Sequence, residues 1–133
     1  MRVRDLMVTD LKMADPETSV ADAVLVMSDS HITALPVVDS SGNLVGVLST
    51  SDILGAAAEC SDAKERDRLF EGTSVKELMT PRPATIRPTA DVKEAAQQML
   101  YLEVHRLFVE EKGRLVGVIS QSDVVRGVAT AKL

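Results

Sequence analysis

The sequence predicts an α+β protein built from two copies of one β-α-β-β-α unit. Three observations support this prediction: an internal duplication, apolar residues at helical spacing, and paired strand-like runs around glycine-containing turns. Of the 133 residues, 45% are hydrophobic and 26% are charged, which is a globular composition with enough apolar material for a core. With two Phe, one Tyr and no Trp, the predicted core is built from Val, Leu, Ile, Ala and Met.

The duplication is visible when the chain is shifted against itself. At an offset of 72, identical residues pair at nine positions of the first half: Val3, Leu6, Met7, Pro16, Val20, Ala23, Met27, Leu35 and Val37. After a turn the offset falls to 71, and residues 42–52 then match residues 113–123 at eight of eleven positions. We predict two repeats, 1–58 and 75–133, joined by a charged helix extension and linker over 59–74.

The first helix of each repeat has a predicted start signal. Ser19 with Asp22, and Asp91 with Glu94, are spaced like capping boxes ahead of apolar residues at helical periodicity. In the first repeat, further apolar residues widen the stripe, so that helix is expected to face both a core and a partner.

In the second half of each repeat, the sequence pattern predicts a β-hairpin followed by a helix. The runs 32–38 and 44–49, and later 104–110 and 115–120, are rich in β-branched residues and flank short turns with glycine. Ser51 and Ser122 are predicted N-caps of the helices that follow. His31, just beyond the first helix, is predicted to be a surface or turn residue.

The composition of the chain disfavours several functions. The formal net charge of −5 and the scarcity of aromatic side chains disfavour nucleic-acid binding. One cysteine, Cys60, permits no intrachain disulfide, and no metal-ligand spacing is visible. No apolar run approaches the ~20 residues of a membrane span. We predict a cytoplasmic protein without membrane contact. An arginine patch remains a weak nucleic-acid alternative, formed by Arg2, Arg4, Arg82, Arg87 and Arg106.

The repeat resembles the CBS domain, named for cystathionine β-synthase. The resemblance rests on the opening V-x-x-L-M, the capped helix, and the closing segments Gly46–Asp52 (GVLSTSD) and Gly117–Asp123 (GVISQSD). It extends from Val3 to about Val128, so the two copies together resemble a CBS pair, or Bateman module.

The resemblance implies two repeats packed with pseudo-two-fold symmetry through their small sheets, with two clefts between them. Such clefts bind AMP, ADP, ATP or S-adenosylmethionine; no other cofactor is expected to be required, and whether magnesium accompanies the ligand is left open. Family members usually regulate an attached enzyme, transporter or transcription factor, and they commonly form dimers. A homodimer and a regulated protein partner are therefore expected here.

The resemblance also assigns polar site residues. Asp52 and Asp123 are expected to accept hydrogen bonds from ribose hydroxyls, with serines at the strand-to-helix turn placed near phosphate: Ser49, Ser51, Ser120 and Ser122. The alternative is that both aspartates only stabilise the first helical turn. In the second repeat His105 and Arg106 are phosphate candidates; the alternatives are a half-buried strand residue and an exposed or interface cation.

The purine is expected to lie in an aliphatic slot. The matching positions are Met13, Ala14, Pro36 and Val37 in the first repeat, and Thr85, Ile86, Phe108 and Val109 in the second. Each of these residues could equally be an ordinary core residue. Because Thr33-Ala34 occupies the place of His105-Arg106, we expect the two sites to differ in affinity.

These expectations favour a regulatory module that senses an adenosine nucleotide and signals through a conformational change. The first alternative is a structural dimerisation module with vestigial clefts. The second is a small nucleotide-processing enzyme, although the sequence carries no recognisable nucleophile–base pair, metal site or phosphate loop.

Overall fold

A computed structural model describes residues 1–130, and residues 131–133, the end of the predicted second repeat, lie outside the described residues. The described chain forms two compact units. The central unit comprises residues 12–83, and the terminal unit combines residues 1–11 with residues 84–130. The compact units thus differ from the sequence repeats, because the opening segment of each repeat belongs to the unit that holds the other repeat's hairpin.

The elements follow the predicted alternation of helix and strand. In chain order they are α1 (Val3–Leu6), α2 (Val20–Ser30), β1 (Ala34–Val38), β2 (Leu44–Ser49), α3 (Thr50–Ala58), α4 (Ala63–Glu71), α5 (Val75–Leu78), β3 (Thr80–Pro81), β4 (Thr85–Ile86), α6 (Val92–Leu102), β5 (Arg106–Glu111), β6 (Arg114–Ser120) and α7 (Gln121–Thr130). Among residues 1–130, no helix has the length and apolar character needed to cross a bilayer.

Each unit contains one three-stranded sheet, so the predicted mixed α+β class is confirmed. In the central unit the order is β1-β2-β3, all antiparallel, and Ala14 bridges Val37 in parallel on the outer side of β1. In the terminal unit β4 pairs in parallel with β5, β5 pairs antiparallel with β6, and Val8 bridges Val118 antiparallel beyond β6. The two ladders have the same pattern, as the duplication requires.

The N-caps predicted for the first helix of each repeat are confirmed. The Ser19 hydroxyl accepts from the backbone N–H of Asp22 at 3.1 Å, and the Asp91 carboxylate accepts from Lys93 N at 2.8 Å. Both helices end in a left-handed residue, His31 (φ 54°) and Glu103 (φ 56°). His31 is exposed in this turn, as predicted.

Two local features go beyond the predicted pattern. The opening segment of each repeat begins with one helical turn, α1 or α5, and the predicted extended part follows it, with Ala14 bridged to Val37 and β4 paired with β5. The predicted linker contains a separate helix, α4, whose N-cap is Asp62. Within α4, Leu69 is buried and Phe70 is half-buried, whereas the charged residues are exposed.

The core is aliphatic, as the composition predicts. In the central unit the buried cluster consists of Ala14, Ala23, Met27, Leu35, Val37, Leu48 and Val75. In the terminal unit it consists of Val3, Ile86, Ala95, Met99, Leu107, Val109 and Ile119. In each cluster, the first long helix of one repeat packs against one face of the sheet. Each cluster also includes a valine from the opening segment of the other repeat, Val75 or Val3. Burial of these side chains is the main favourable term for each unit.

Candidate functional site

The two turns between the last strand and last helix of each repeat have the same geometry. Ser49 N donates to Asp52 Oδ2 at 2.9 Å, and Asp52 N donates to Ser49 Oγ at 3.1 Å. Ser120 and Asp123 form the same pair of bonds, at 2.9 and 3.1 Å. All four residues are half-buried. Each turn is thus a reciprocal capping box that fixes one carboxylate at a helix N-terminus.

This geometry corrects the predicted N-caps Ser51 and Ser122. Helix α3 begins at Thr50 with Ser49 as its N-cap, and α7 begins at Gln121 with Ser120 making the equivalent bonds. The shift arises because β2 stays paired as far as Ser49, opposite Ala34, so the helix can start only after it. Ser51 and Ser122 consequently lie in the first helical turn, where both are exposed.

The remaining carboxylate oxygens have different neighbours in the two turns. The Thr80 hydroxyl lies 3.4 Å from Asp52 Oδ1, where it donates a long hydrogen bond. Asp123 Oδ1 lies 3.7 Å from Arg126 Nη2, an ion pair between residues one helical turn apart. In each turn one aspartate oxygen accepts a hydrogen bond from a backbone N–H. The other aspartate oxygen can still accept a hydrogen bond from a hydroxyl group.

In the sheet of the terminal unit, the predicted phosphate residue Arg106 and the predicted slot residue Phe108 lie on one face. Arg106 pairs with Ser120, and Phe108 pairs with Val118. Because side chains alternate along a strand, these residues share the face opposite the core. His105 precedes β5, is exposed, and its carbonyl accepts from Gln121 N at 2.9 Å.

In the central unit the corresponding pairs are Ala34 with Ser49 and Pro36 with Val47. Ala34 therefore occupies the position that Arg106 holds in the terminal unit. The face beside the Ser120–Asp123 turn carries a cation that the equivalent face beside the Ser49–Asp52 turn lacks.

The predicted slot residues come together in the expected pairs of segments. Ala14 N donates to Pro36 O and Val38 N donates to Ala14 O, both at 2.9 Å. Thr85 and Ile86 pair in parallel with Phe108 and Val109. Their side chains, however, divide between environments. Four of them belong to the buried core clusters, namely Ala14, Val37, Ile86 and Val109. Pro36 and Phe108 are also buried, but each lies on the face of its sheet that points away from the core cluster. Thr85 is half-buried, and Met13 is 49% exposed.

Two concave surfaces were not predicted from the sequence. A polar cleft of about 930 Å³ in the terminal unit is bordered by the start of α6 and the β5–β6 turn, and Thr85 and Ile86 of the predicted slot line it. An apolar groove of about 460 Å³ separates α2 from α3 in the central unit, and Ser51 lines it. Helix α2 lines the groove with Val24 and Met27, which belong to the apolar stripe at helical spacing.

No group of three or more His, Cys, Asp or Glu side chains among residues 1–130 is arranged to hold a metal ion. The Cys60 thiol is free and half-buried, 3.6 Å from the carbonyl oxygen of Ala56. What the described turns offer chemically is therefore hydrogen bonding and charge.

Comparison with known proteins agrees with the duplicated turns and sheets. The CBS domain family model matches residues 3–59 and again residues 75–130. This chain belongs to the CBS domain family. A CBS domain-containing protein of Dictyostelium discoideum is 32% identical over 127 residues, which cover 92% of this chain and 88% of that protein.

The chain is also similar to the chloroplastic CBS domain-containing protein CBSX2 of Arabidopsis thaliana, with 29% identity over 144 residues. The crystal structure of CBSX2 in complex with AMP has a TM-score of 0.85 and 32% identity, and the match covers 99% of both chains. The likeness thus extends over both CBS domains of this chain and the segments around them.

Some relatives are much longer than the matched region. The chain spans 60% of CBSX2 and 21% of inosine-5'-monophosphate dehydrogenase of Bifidobacterium longum, to which it is 32% identical. In the dehydrogenase the similarity is therefore confined to a minor part of the enzyme.

Proposed function

We propose that this CBS pair is a regulatory module that binds an adenosine nucleotide and senses energy state or a metabolite. The observation that carries the proposal is the pair of equivalent Ser–Asp turns, each presenting one half-buried carboxylate at a helix N-terminus. A carboxylate can accept hydrogen bonds from both hydroxyls of a ribose, and the helix N-terminus attracts phosphate. CBSX2, which shares the fold over 99% of its chain, has been crystallised with AMP.

In this proposal Asp52 and Asp123 hold ribose hydroxyls. The serines at the turns lie near phosphate, and the aliphatic slot segments hold adenine through main-chain groups and apolar side chains. Capping and ligand binding are compatible, because each cap uses only one carboxylate oxygen. The ligand is AMP, ADP, ATP or S-adenosylmethionine, and magnesium is proposed only as a companion of a triphosphate.

We further propose that the two sites differ. Arg106 stands beside the Ser120–Asp123 turn, whereas Ala34 holds the equivalent position in the central unit. A guanidinium supplies a permanent charge and several donors to a phosphate. Together with His105, Arg106 should make the site that contains Asp123 the tighter one for phosphorylated adenosines.

Ligand binding would regulate a partner protein by favouring one of two conformations, which requires different affinities for the two states. We propose that the chain acts as a homodimer, without catalytic activity of its own and in the cytoplasm. Incubation with ATP and magnesium should yield no product, and cell fractionation should recover the protein in the cytosolic fraction.

The binding site is tested by Asp52→Asn and Asp123→Asn. Asparagine keeps an oxygen that can accept from the Ser49 or Ser120 backbone, so the turn is retained while the charge is lost. Hydrogen bonds to charged groups contribute about 1.5–3 kcal/mol, which corresponds to roughly 10–100-fold in affinity. Calorimetric titration with AMP, ADP, ATP and S-adenosylmethionine should show such a loss for each variant at its own site.

Asp67→Asn is the matched control, because it removes the same charge from the exposed surface of α4. If all three variants bind every nucleotide as the unmodified chain does, the site assignment is wrong. If the unmodified chain binds none of these ligands, the dimerisation module becomes the better function. The exposed apolar side chains on its helices, such as Leu54 and Tyr101, favour that second candidate.

A further inference from the structure

The two Ser–Asp turns differ in the residue that follows each aspartate by one helical turn. In the terminal unit this residue is Arg126, whose Nη2 lies 3.7 Å from Asp123 Oδ1. The duplication aligns it with Gly55, three residues after Asp52 in α3. The Oδ1 atom of Asp52 has the Thr80 hydroxyl at 3.4 Å instead. A cation thus lies beside Oδ1 of Asp123, whereas a neutral hydroxyl lies beside Oδ1 of Asp52.

A second position beside the turn of the terminal unit also carries a cation. Arg106 of β5 pairs with Ser120, the first residue of that turn. The equivalent residue of the central unit is Ala34. Two cations, one on a strand and one on a helix, therefore border the turn that contains Asp123. Their counterparts in the central unit are an alanine and a glycine, so the two turns differ at both positions.

These charges determine which ribose substituents each turn accepts. A carboxylate without a cation accepts hydrogen bonds from both hydroxyls of a ribose but repels a phosphate attached to the same ribose. An arginine beside the carboxylate offsets this repulsion, because a guanidinium binds phosphate oxygens through two N–H groups at once. In dinucleotide-binding proteins, an acid selects a free ribose hydroxyl and a nearby arginine accommodates a phosphate on it.

The ion pair at Asp123 is arranged so that the arginine can turn toward a ligand. The Ser120 backbone N–H holds Asp123 Oδ2 at 2.9 Å, and Arg126 faces the other oxygen. The 3.7 Å separation is longer than the about 2.7–2.9 Å of a charge-assisted hydrogen bond, so the pair is loose. The Asp123 side chain is only 11% exposed, whereas that of Arg126 is 71% exposed. The carboxylate is therefore fixed, and the guanidinium moves without losing a buried contact.

We propose that the site containing Asp123 takes an adenosine with two separate phosphates, one at the 5′ position and one on a ribose hydroxyl. Arg106 binds the 5′-phosphate and Arg126 binds the phosphate at the 2′ or 3′ position, while Asp123 accepts from the remaining hydroxyl. The site that contains Asp52 takes only a ribose with both hydroxyls free. This inference rests on the adenosine sites proposed above and assigns a ligand class to each of them.

Calorimetric titration of the full chain with 5′-AMP, adenosine 2′,5′-bisphosphate and adenosine 3′,5′-bisphosphate tests the proposal. We expect two sites for 5′-AMP and one site for a bisphosphate, and the bisphosphate that binds more tightly identifies the position that Arg126 faces. Arg126→Gln should weaken that bisphosphate by about tenfold and leave the affinity for 5′-AMP within about twofold.

Gly55→Arg is the converse variant. It places a cation at the equivalent position of α3, where a new Cβ meets no atom within 4 Å and arginine favours the helix over glycine. This chain should bind the same bisphosphate at a second site. Arg66→Gln is the matched control, because it removes one positive charge from the exposed surface of α4 and should change neither affinity. All three positions are exposed, so the variants should fold, and circular dichroism with a thermal melt verifies that they do.

An equal loss of affinity for 5′-AMP and for the bisphosphate in Arg126→Gln would overturn the proposal, because the arginine would then only position Asp123. Bisphosphate binding that Arg126→Gln leaves unchanged, or that occurs at both sites of the unmodified chain, would also overturn it. A chain that binds 5′-AMP but neither bisphosphate contradicts this inference and leaves the proposed sensing function in place. A chain that binds none of the three probes contradicts both.

Discussion

Replacing Gly117 by alanine should destabilise the protein although the backbone at this position is open to any residue. A Cβ placed on Gly117 would lie 2.7 Å from Met7 Sδ and 3.0 Å from the carbonyl oxygen of Val8. The methionine sulfur can move, because its side chain is flexible. The Val8 carbonyl cannot move freely, because it accepts from Val118 N at 3.0 Å while Val8 N donates to Val118 O at 2.8 Å.

The expected magnitude follows from two opposing effects. Overpacking of a well-packed site costs about 1–3 kcal/mol. Replacing glycine by alanine reduces the conformational entropy of the unfolded chain, which stabilises the folded state by about 0.4–1 kcal/mol. The net loss in the free energy of unfolding is therefore at most about 2.6 kcal/mol and centred near about 1.3 kcal/mol, or roughly 4–6 °C in Tm for a chain of this size.

Thermal and urea unfolding of Gly117→Ala measure this loss. Gly55→Ala is the matched control, because a Cβ at Gly55 in α3 meets no atom within 4 Å and alanine favours a helix by about 1 kcal/mol. Adding Met7→Ala should relieve part of the cost, so the double variant should lose less than the sum of the single losses. A Gly117→Ala protein at least as stable as the unmodified chain would refute the reasoning.

Three further predictions concern local contacts. Ser49→Ala should lower the free energy of unfolding by about 1 kcal/mol in urea titration because it removes the α3 cap, while Ser51→Ala should change it little. Gly127→Ala should lower the Tm despite its helical position, since the new Cβ would lie 2.5 Å from two Leu6 methyl groups. Backbone hydrogen bonds from Asn43 and Ser41 lower the pKa of Asp39 below its ordinary 3.8. The ionised Asp39 carboxylate therefore stabilises the folded state above pH 3.8, and this stabilisation is lost as the pH falls through the lower pKa of the folded state. Asp39→Asn should weaken the dependence of unfolding on acid pH. An unchanged acid profile would contradict this.

The elements governed by neighbours in sequence were predictable. The caps of α2 and α6 need only hydrogen bonds to backbone groups two or three residues away, and Ser19 and Asp91 provide them. The duplication likewise predicted two equivalent turns, because equal sequences meet equal local constraints.

Predictions failed where a choice depended on a distant strand. Both Ser49 and Ser51 are good N-caps locally, and the pairing of Ser49 with Ala34 decides between them. For the four slot residues that enter the cores, the sequence left a slot and a core position open as equal alternatives. Their burial depends on distant strands in the same way, since pairing and burial decide which face of a sheet packs on a helix.

By itself, the sequence determined the repeat, the alternation of the main helices and strands, the aliphatic core and the presence of two equivalent strand-to-helix turns. Only the tertiary structure decided that residues 1–11 join the hairpin of the second repeat, and that Asp52 and Asp123 have Thr80 and Arg126 as different neighbours. The physical reason is the separation in sequence over which each kind of interaction acts. Helix periodicity and capping act within a few residues along the chain, whereas strand pairing and the burial of apolar faces join segments up to about a hundred residues apart, as Val8 and Val118 show.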